Sequence, residues 1–77
     1  MAIYAYVLLR CLKNKLSGVV EGVKEVEGVK SIVPITGRFD AVVEVEAEDL
    51  GKLAELVVNR IQALEGVERT ETLVAVG

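Results

Sequence analysis

Two short stretches carry the side chains best suited to chemistry: Thr36-Gly37-Arg38-Phe39-Asp40 and Gly66-Val67-Glu68-Arg69-Thr70-Glu71-Thr72. Asp40 can accept hydrogen bonds from a cationic group. The hydroxyls of Thr70 and Thr72, with exposed backbone N–H groups around Gly37, can donate to an anionic one. The two threonines share one side of a strand, because strand side chains repeat every second residue. Arg38, at the tip of a turn, can reach a ligand or a neighbouring molecule. Each residue also has a plainer use. An aspartate after a glycine-containing turn can fix that turn by bonding nearby backbone, and threonine suits strands whatever their function.

Catalysis has little to work with. The chain contains no histidine, the commonest general base near neutral pH, so its one cysteine, Cys11, cannot form a Cys–His pair. Cys11 lies in an apolar run and reads as a small hydrophobe. No CxxC or mixed Cys/His set suggests a metal site, and no glycine-rich loop of phosphate-cradling type is present. A net charge of −3 argues against duplex nucleic acid, which requires clustered Lys and Arg. Tyr4 and Tyr6 could stack bases, but Glu44 and Glu46 on the same face would repel phosphates. Binding is the better class.

The elements that position these residues repeat. Glu27-Gly28-Val29 recurs as Glu65-Gly66-Val67, and the same offset lays Ile3–Val7 on Ala41–Val45. Each copy reads as an apolar strand, a helix-period segment, then Glu-Gly-Val opening a second strand. Two β-α-β units folded together predict a ferredoxin-like β-α-β-β-α-β sandwich, an α+β fold with both helices on one face of a four-stranded antiparallel sheet. Strands are expected at Ile3–Cys11, Val29–Thr36, Ala41–Ala47 and Val67–Val76. Asn14 is expected to cap a first helix with Leu16, Val19, Val20, Val23 and Val26 as its buried stripe. Glu48 or Asp49 starts a second helix that buries Leu50, Leu53, Ala54, Val57, Ile61 and Leu64. Gly28 and Gly66 stop the helices. Pro34 cannot donate to a ladder, which sends the second strand to an edge. Right-handed crossovers then centre the first and third strands.

Strand parity turns Ile3, Ala5, Val7 and Leu9 toward the helices and leaves Tyr4, Tyr6, Leu8 and Val42 on the open face. The 77 residues form one domain, 1–77, whose core is marginal alone. Yet 52% of its residues are hydrophobic and its mean hydropathy is +0.45. No apolar stretch is long enough to cross a bilayer, and no signal-peptide pattern opens the chain. The surplus apolar surface is therefore expected to meet a second copy, sheet against sheet, in the cytoplasm.

Gly37-Arg38-Phe39-Asp40 at a hairpin, and a helix ending in Gly66-Val67 before Thr70-Glu71-Thr72, resemble the effector-binding (RAM) domain of the Lrp/AsnC transcription regulators. The resemblance spans essentially the whole chain. Regulators of that family usually carry an amino-terminal helix-turn-helix, whereas the first strand here begins almost at Met1, so a stand-alone form without direct DNA binding is expected. The resemblance implies a free amino acid as ligand, held between subunits. Asp40 would meet the ammonium, while Thr70, Thr72 and the backbone near Gly37 would meet the carboxylate. It also implies a homo-oligomer, dimers joined into a ring, with a full-length Lrp/AsnC regulator or a metabolic enzyme as further partner. The rival expectations are a purely structural oligomerisation module, an ACT-like regulatory domain, and a small acylphosphatase-like enzyme.

Overall fold

Leu12 donates its backbone N–H to Gly66 O (2.8 Å) and Glu46 donates to Gly28 O (2.9 Å), so the repeated Glu-Gly-Val segments do the same work twice. In the computed structural model, which describes residues 2–76, each glycine ends its helix in the left-handed region, at φ +99° and +101°, where a side chain is strained. A Cβ on Gly66 would also stand 2.6 Å from Lys15 Cβ.

The elements are β1 (Ile3–Cys11), α1 (Leu16–Lys24), β2 (Val29–Pro34), β3 (Ala41–Ala47), α2 (Leu50–Glu55) running into a π-helical segment (Leu56–Ile61), and β4 (Val67–Val74). The antiparallel sheet has the order β2-β3-β1-β4. The central pair and the Pro34-bearing edge are those expected. β2 ends at Pro34 rather than Thr36, and β4 at Val74 rather than Val76, whose side chain is almost fully exposed.

One face of the sheet (Ala5, Val7, Leu9, Ala41, Val43, Val45) packs with Val19, Val23, Val26, Leu53, Leu56, Val57 and Ile61 as a single core. Val20 is only half-buried and falls outside it.

Two helix expectations are corrected. Asn14 does not cap α1. The turn closed by Lys15 N–H on Leu12 O (3.0 Å) places Asn14 at φ +65°, a left-handed position that asparagine tolerates. Lys15 stands at the helix start with no side-chain cap. Asp49 does cap α2, accepting Lys52 N–H at 2.8 Å.

Leu50 and Ala54 are exposed and Leu56 is buried, against the straight-helix stripe. Gln62 donates to Val57 O, five residues back, at 2.8 Å. This wider turn brings Leu56, Val57 and Ile61 together onto the sheet beside Leu53, and leaves Leu50 and Ala54 outside the core.

Candidate functional site

The β2–β3 hairpin is tied to β1 at its base. Ile35 donates to Asp40 O (2.9 Å) and Asp40 N–H to Leu9 O (2.7 Å). Asp40 Oδ2 accepts the Cys11 backbone N–H at 2.7 Å. One of the two carboxylate oxygens is thus occupied by the hairpin's own anchorage. The Cys11 thiol is pushed above its ordinary range, first by burial and then by the charge of Asp40. Gly37 lies at the exposed bend, at φ +115°. Arg38 is exposed, and its carbonyl accepts a hydrogen bond from the Arg10 guanidinium. The Arg69 guanidinium stands over the Phe39 ring, 5.6 Å from its centre.

Thr70 pairs with Leu9 and Thr72 with Val7, so both threonines lie on the helix side of edge strand β4. Thr70 Oγ1 accepts a hydrogen bond from Gln62 Nε2 at 2.8 Å. Thr72 borders an apolar hollow of about 320 Å³ with Leu50, Leu53, Ala54, Val57 and Val58. A second hollow of about 350 Å³ lies beside Thr70, with Gln62, Glu68 and Arg69. Neither is lined by the hairpin. β1 runs between Asp40 and the threonines, so within one protomer the two motifs meet through Arg69 over Phe39 and not through Asp40, Thr70 or Thr72.

Sequence reasoning missed a larger hollow of about 590 Å³ at the far end of the sheet, bordered by Gly28, Lys30, Glu46, Glu48 and Asp49. Lys30 Nζ is 3.1 Å from Glu46 there, and its hydrogen bond to Glu46 raises its pKa. The run Glu46-Ala47-Glu48-Asp49 beside a left-handed glycine was the signal available.

On the open face Tyr4 and Tyr6 are 49% and 45% exposed, with Leu8 and Val42 half-buried between them and the hairpin end. Val33 and Leu73, 50% and 48% exposed, extend the patch to both edges. The parity of β2 and β4 could have found them. Among the described residues no group of three Cys, Asp or Glu side chains is placed to hold a metal, and no helix is long and apolar enough to cross a membrane.

The model of the Lrp/AsnC ligand binding domain matches residues 4–77. TTHA0845 from Thermus thermophilus superposes with a TM-score of 0.92 at 39% identity, over 97% of this chain and 94% of that one. The transcriptional regulator NMB0573 of Neisseria meningitidis, solved in complex with L-Met, superposes with a TM-score of 0.90 over 97% of this chain and 50% of its own. At 16% identity, that likeness is one of fold. A homocitrate synthase of Sulfurisphaera tokodaii is 34% identical over 71 residues, covering 91% of this chain. The chain spans only 15% of the length of that enzyme.

Proposed function

The chain belongs to the Lrp/AsnC ligand-binding domain family, and on that footing we propose that it is a regulatory module sensing a free amino acid at the seams between its own copies. The family match along residues 4–77 carries this reading. It is supported by the apolar open face and by the complex of NMB0573 with L-Met. A second copy covers Tyr4, Tyr6, Leu8 and Val42, sheet against sheet, and dimers join into a larger ring.

Across a seam, the Gly37-Arg38 hairpin and Asp40 of one copy meet Thr70 and Thr72 of a neighbour. The oxygen of Asp40 not bound to Cys11 takes the ammonium, and Thr72 with the hairpin N–H groups takes the carboxylate. The ligand acts through its different affinity for two assembly states. The protein is a cytoplasmic binder rather than an enzyme and does not touch DNA itself. Its output passes to a metabolic enzyme or to a full-length Lrp/AsnC regulator. The first is supported by the similar segment within a homocitrate synthase.

A thermal-shift screen against the twenty amino acids, paired with light scattering for mass, tests this. At least one amino acid should raise the melting temperature or change the assembly size. No response at millimolar concentration of any of them removes the sensing role.

One observation favours a second reading, a structural assembly module with no small ligand: Asp40 Oδ2 and Thr70 Oγ1 are both already bonded within the protomer. Such a protein assembles in the same screen and responds to nothing.

A further inference from the structure

Granted the amino-acid sensing proposed above, the edge of β4 says which kind of side chain the ligand carries. β1 bonds to a different neighbour on each of its two edges. Leu9 O takes the Asp40 N–H on the hairpin side, whereas Tyr4 O takes the Ala75 N–H on the β4 side at 2.8 Å. Hydrogen-bonded pairs alternate along an antiparallel ladder. With Tyr6 opposite Leu73, Leu8 opposite Glu71 and Arg10 opposite Arg69, it is Arg69, Glu71 and Leu73 that bond to β1. Thr70, Thr72 and Val74 turn their backbone N–H and C=O groups to the open edge of the sheet.

Thr72 therefore offers two donors at one point, its outward N–H and its hydroxyl, and a carboxylate accepts both. Thr70 stands instead beside Glu68 and Arg69, with its Oγ1 held by Gln62. From Thr72 the apolar hollow of about 320 Å³ opens over Leu50, Leu53, Ala54, Val57 and Val58, with no charged group among them. The larger hollow beside Gly28, by contrast, is bordered by Lys30, Glu46, Glu48 and Asp49. Leu50 and Val58 are 61% and 55% exposed, so these walls stay wet until something apolar covers them. The hollow lies at the small end of the range for ligand sites, about 300–1,000 Å³, which is room for one side chain beside an anchored head group. A charged or amide side chain placed there would lose its hydration and gain no partner.

We infer that the sensed amino acid has an uncharged, apolar side chain of middle size, of the leucine, isoleucine, valine or methionine class. Its carboxylate takes the N–H and the hydroxyl of Thr72, and its side chain lies on Leu50, Ala54 and Val58. Its ammonium then faces outward, toward Asp40 of the neighbouring copy. Selectivity comes from the hollow, and the charge partner comes from the hairpin across the seam.

Pairs of equal shape and unequal polarity test it. The parent protein is titrated by calorimetry with leucine against asparagine, valine against threonine, and then the rest of the twenty amino acids. Leucine should bind at least tenfold tighter than asparagine, and valine tighter than threonine, with aspartate and lysine weaker than either apolar member. Tightest binding by a polar or charged amino acid overturns the apolar class and leaves the sensing role standing. Silence from all twenty removes the sensing role, and the class with it. Two variants read the placement. Ala54 is exposed on α2, where leucine is nearly as good a helix former as alanine, so Ala54→Leu should fold and fill the hollow. It should weaken leucine at least tenfold and valine less, whereas Thr72→Val keeps the shape, removes the hydroxyl and should weaken both alike. An Ala54→Leu protein that binds leucine like the parent overturns the placement. Should light scattering show that Ala54→Leu alters the assembly, Val58→Thr serves instead, since it keeps the wall's shape and makes it polar. The preference for leucine over asparagine should then shrink, and an unchanged preference counts against the proposal.

Discussion

Asp40 Oδ2 accepts the backbone N–H of Cys11 at 2.7 Å, joining the β2–β3 hairpin to the end of β1. The bond sits just past the last β1–β3 pair, Leu9 with Ala41, on the edge of β1 that faces the hairpin, where Leu9 O already takes the Asp40 N–H. An N–H freed from its ladder needs another acceptor, and Asp40 supplies it.

Removing that acceptor should cost stability apart from any ligand effect. Asp40→Ala leaves a part-buried N–H unpaired, at about 1–3 kcal/mol. Asp40→Asn keeps an amide oxygen in place and should cost about 1 kcal/mol or less. Urea unfolding of both variants measures the difference. Asp40→Asn is thus the variant in which an altered amino-acid response can be separated from a loosened hairpin.

The same carboxylate also acts on the thiol, second to burial. Burial first, and then the charge of Asp40, raise the Cys11 pKa above its ordinary value. A raised folded value means the neutral thiol is favoured. Its contribution to stability is full below the ordinary thiol pKa and is lost as pH rises through the folded one. The alkylation rate with iodoacetamide should therefore turn up at a higher pH in the native protein than in the urea-unfolded chain. Asp40→Asn should lower that midpoint only part of the way, since burial remains. A native midpoint equal to the unfolded one would contradict the assignment.

The fold could be read from the sequence because the repeat, the strand parity and Pro34 all act locally. A glycine at a helix end, an alternating strand and a missing donor each keep their meaning in any context. Asn14 misled because cap and left-handed turn draw on the same side chain. The candidate site was harder, because types and spacing placed Thr70 and Thr72 on one face but could not say which. That depended on pairing with Leu9 and Val7, a long-range property. Gln62 as the partner of Thr70 carried no sequence signal at all.

The π-helical segment was equally hidden, and it makes an unequal prediction for two leucines. Leu56 is buried against the sheet, while Leu50 is 61% exposed. Leu56→Ala should cost about 2–4 kcal/mol, as removal of a buried leucine does. Leu50→Ala should stay within about 0.5 kcal/mol in the unassembled chain. Comparable losses in chemical denaturation would mean the helix runs straight, with Leu50 inside.

Glycines should divide just as sharply. Nothing lies within 4 Å of the position a Cβ would take at Gly18, in the first turn of α1. Gly18→Ala should therefore raise stability by about 0.5–1 kcal/mol through helix propensity alone. Gly66 holds φ +101° with Lys15 Cβ 2.6 Å from any added methyl. The Leu12 N–H bonded to its carbonyl at 2.8 Å keeps the loop from backing away. Gly66→Ala combines left-handed strain of about 1–2 kcal/mol with that clash, and its melting temperature should fall well below that of the parent. A Gly66→Ala protein as stable as Gly18→Ala would mean that the β1–α1 loop does not seat on the end of the second helix.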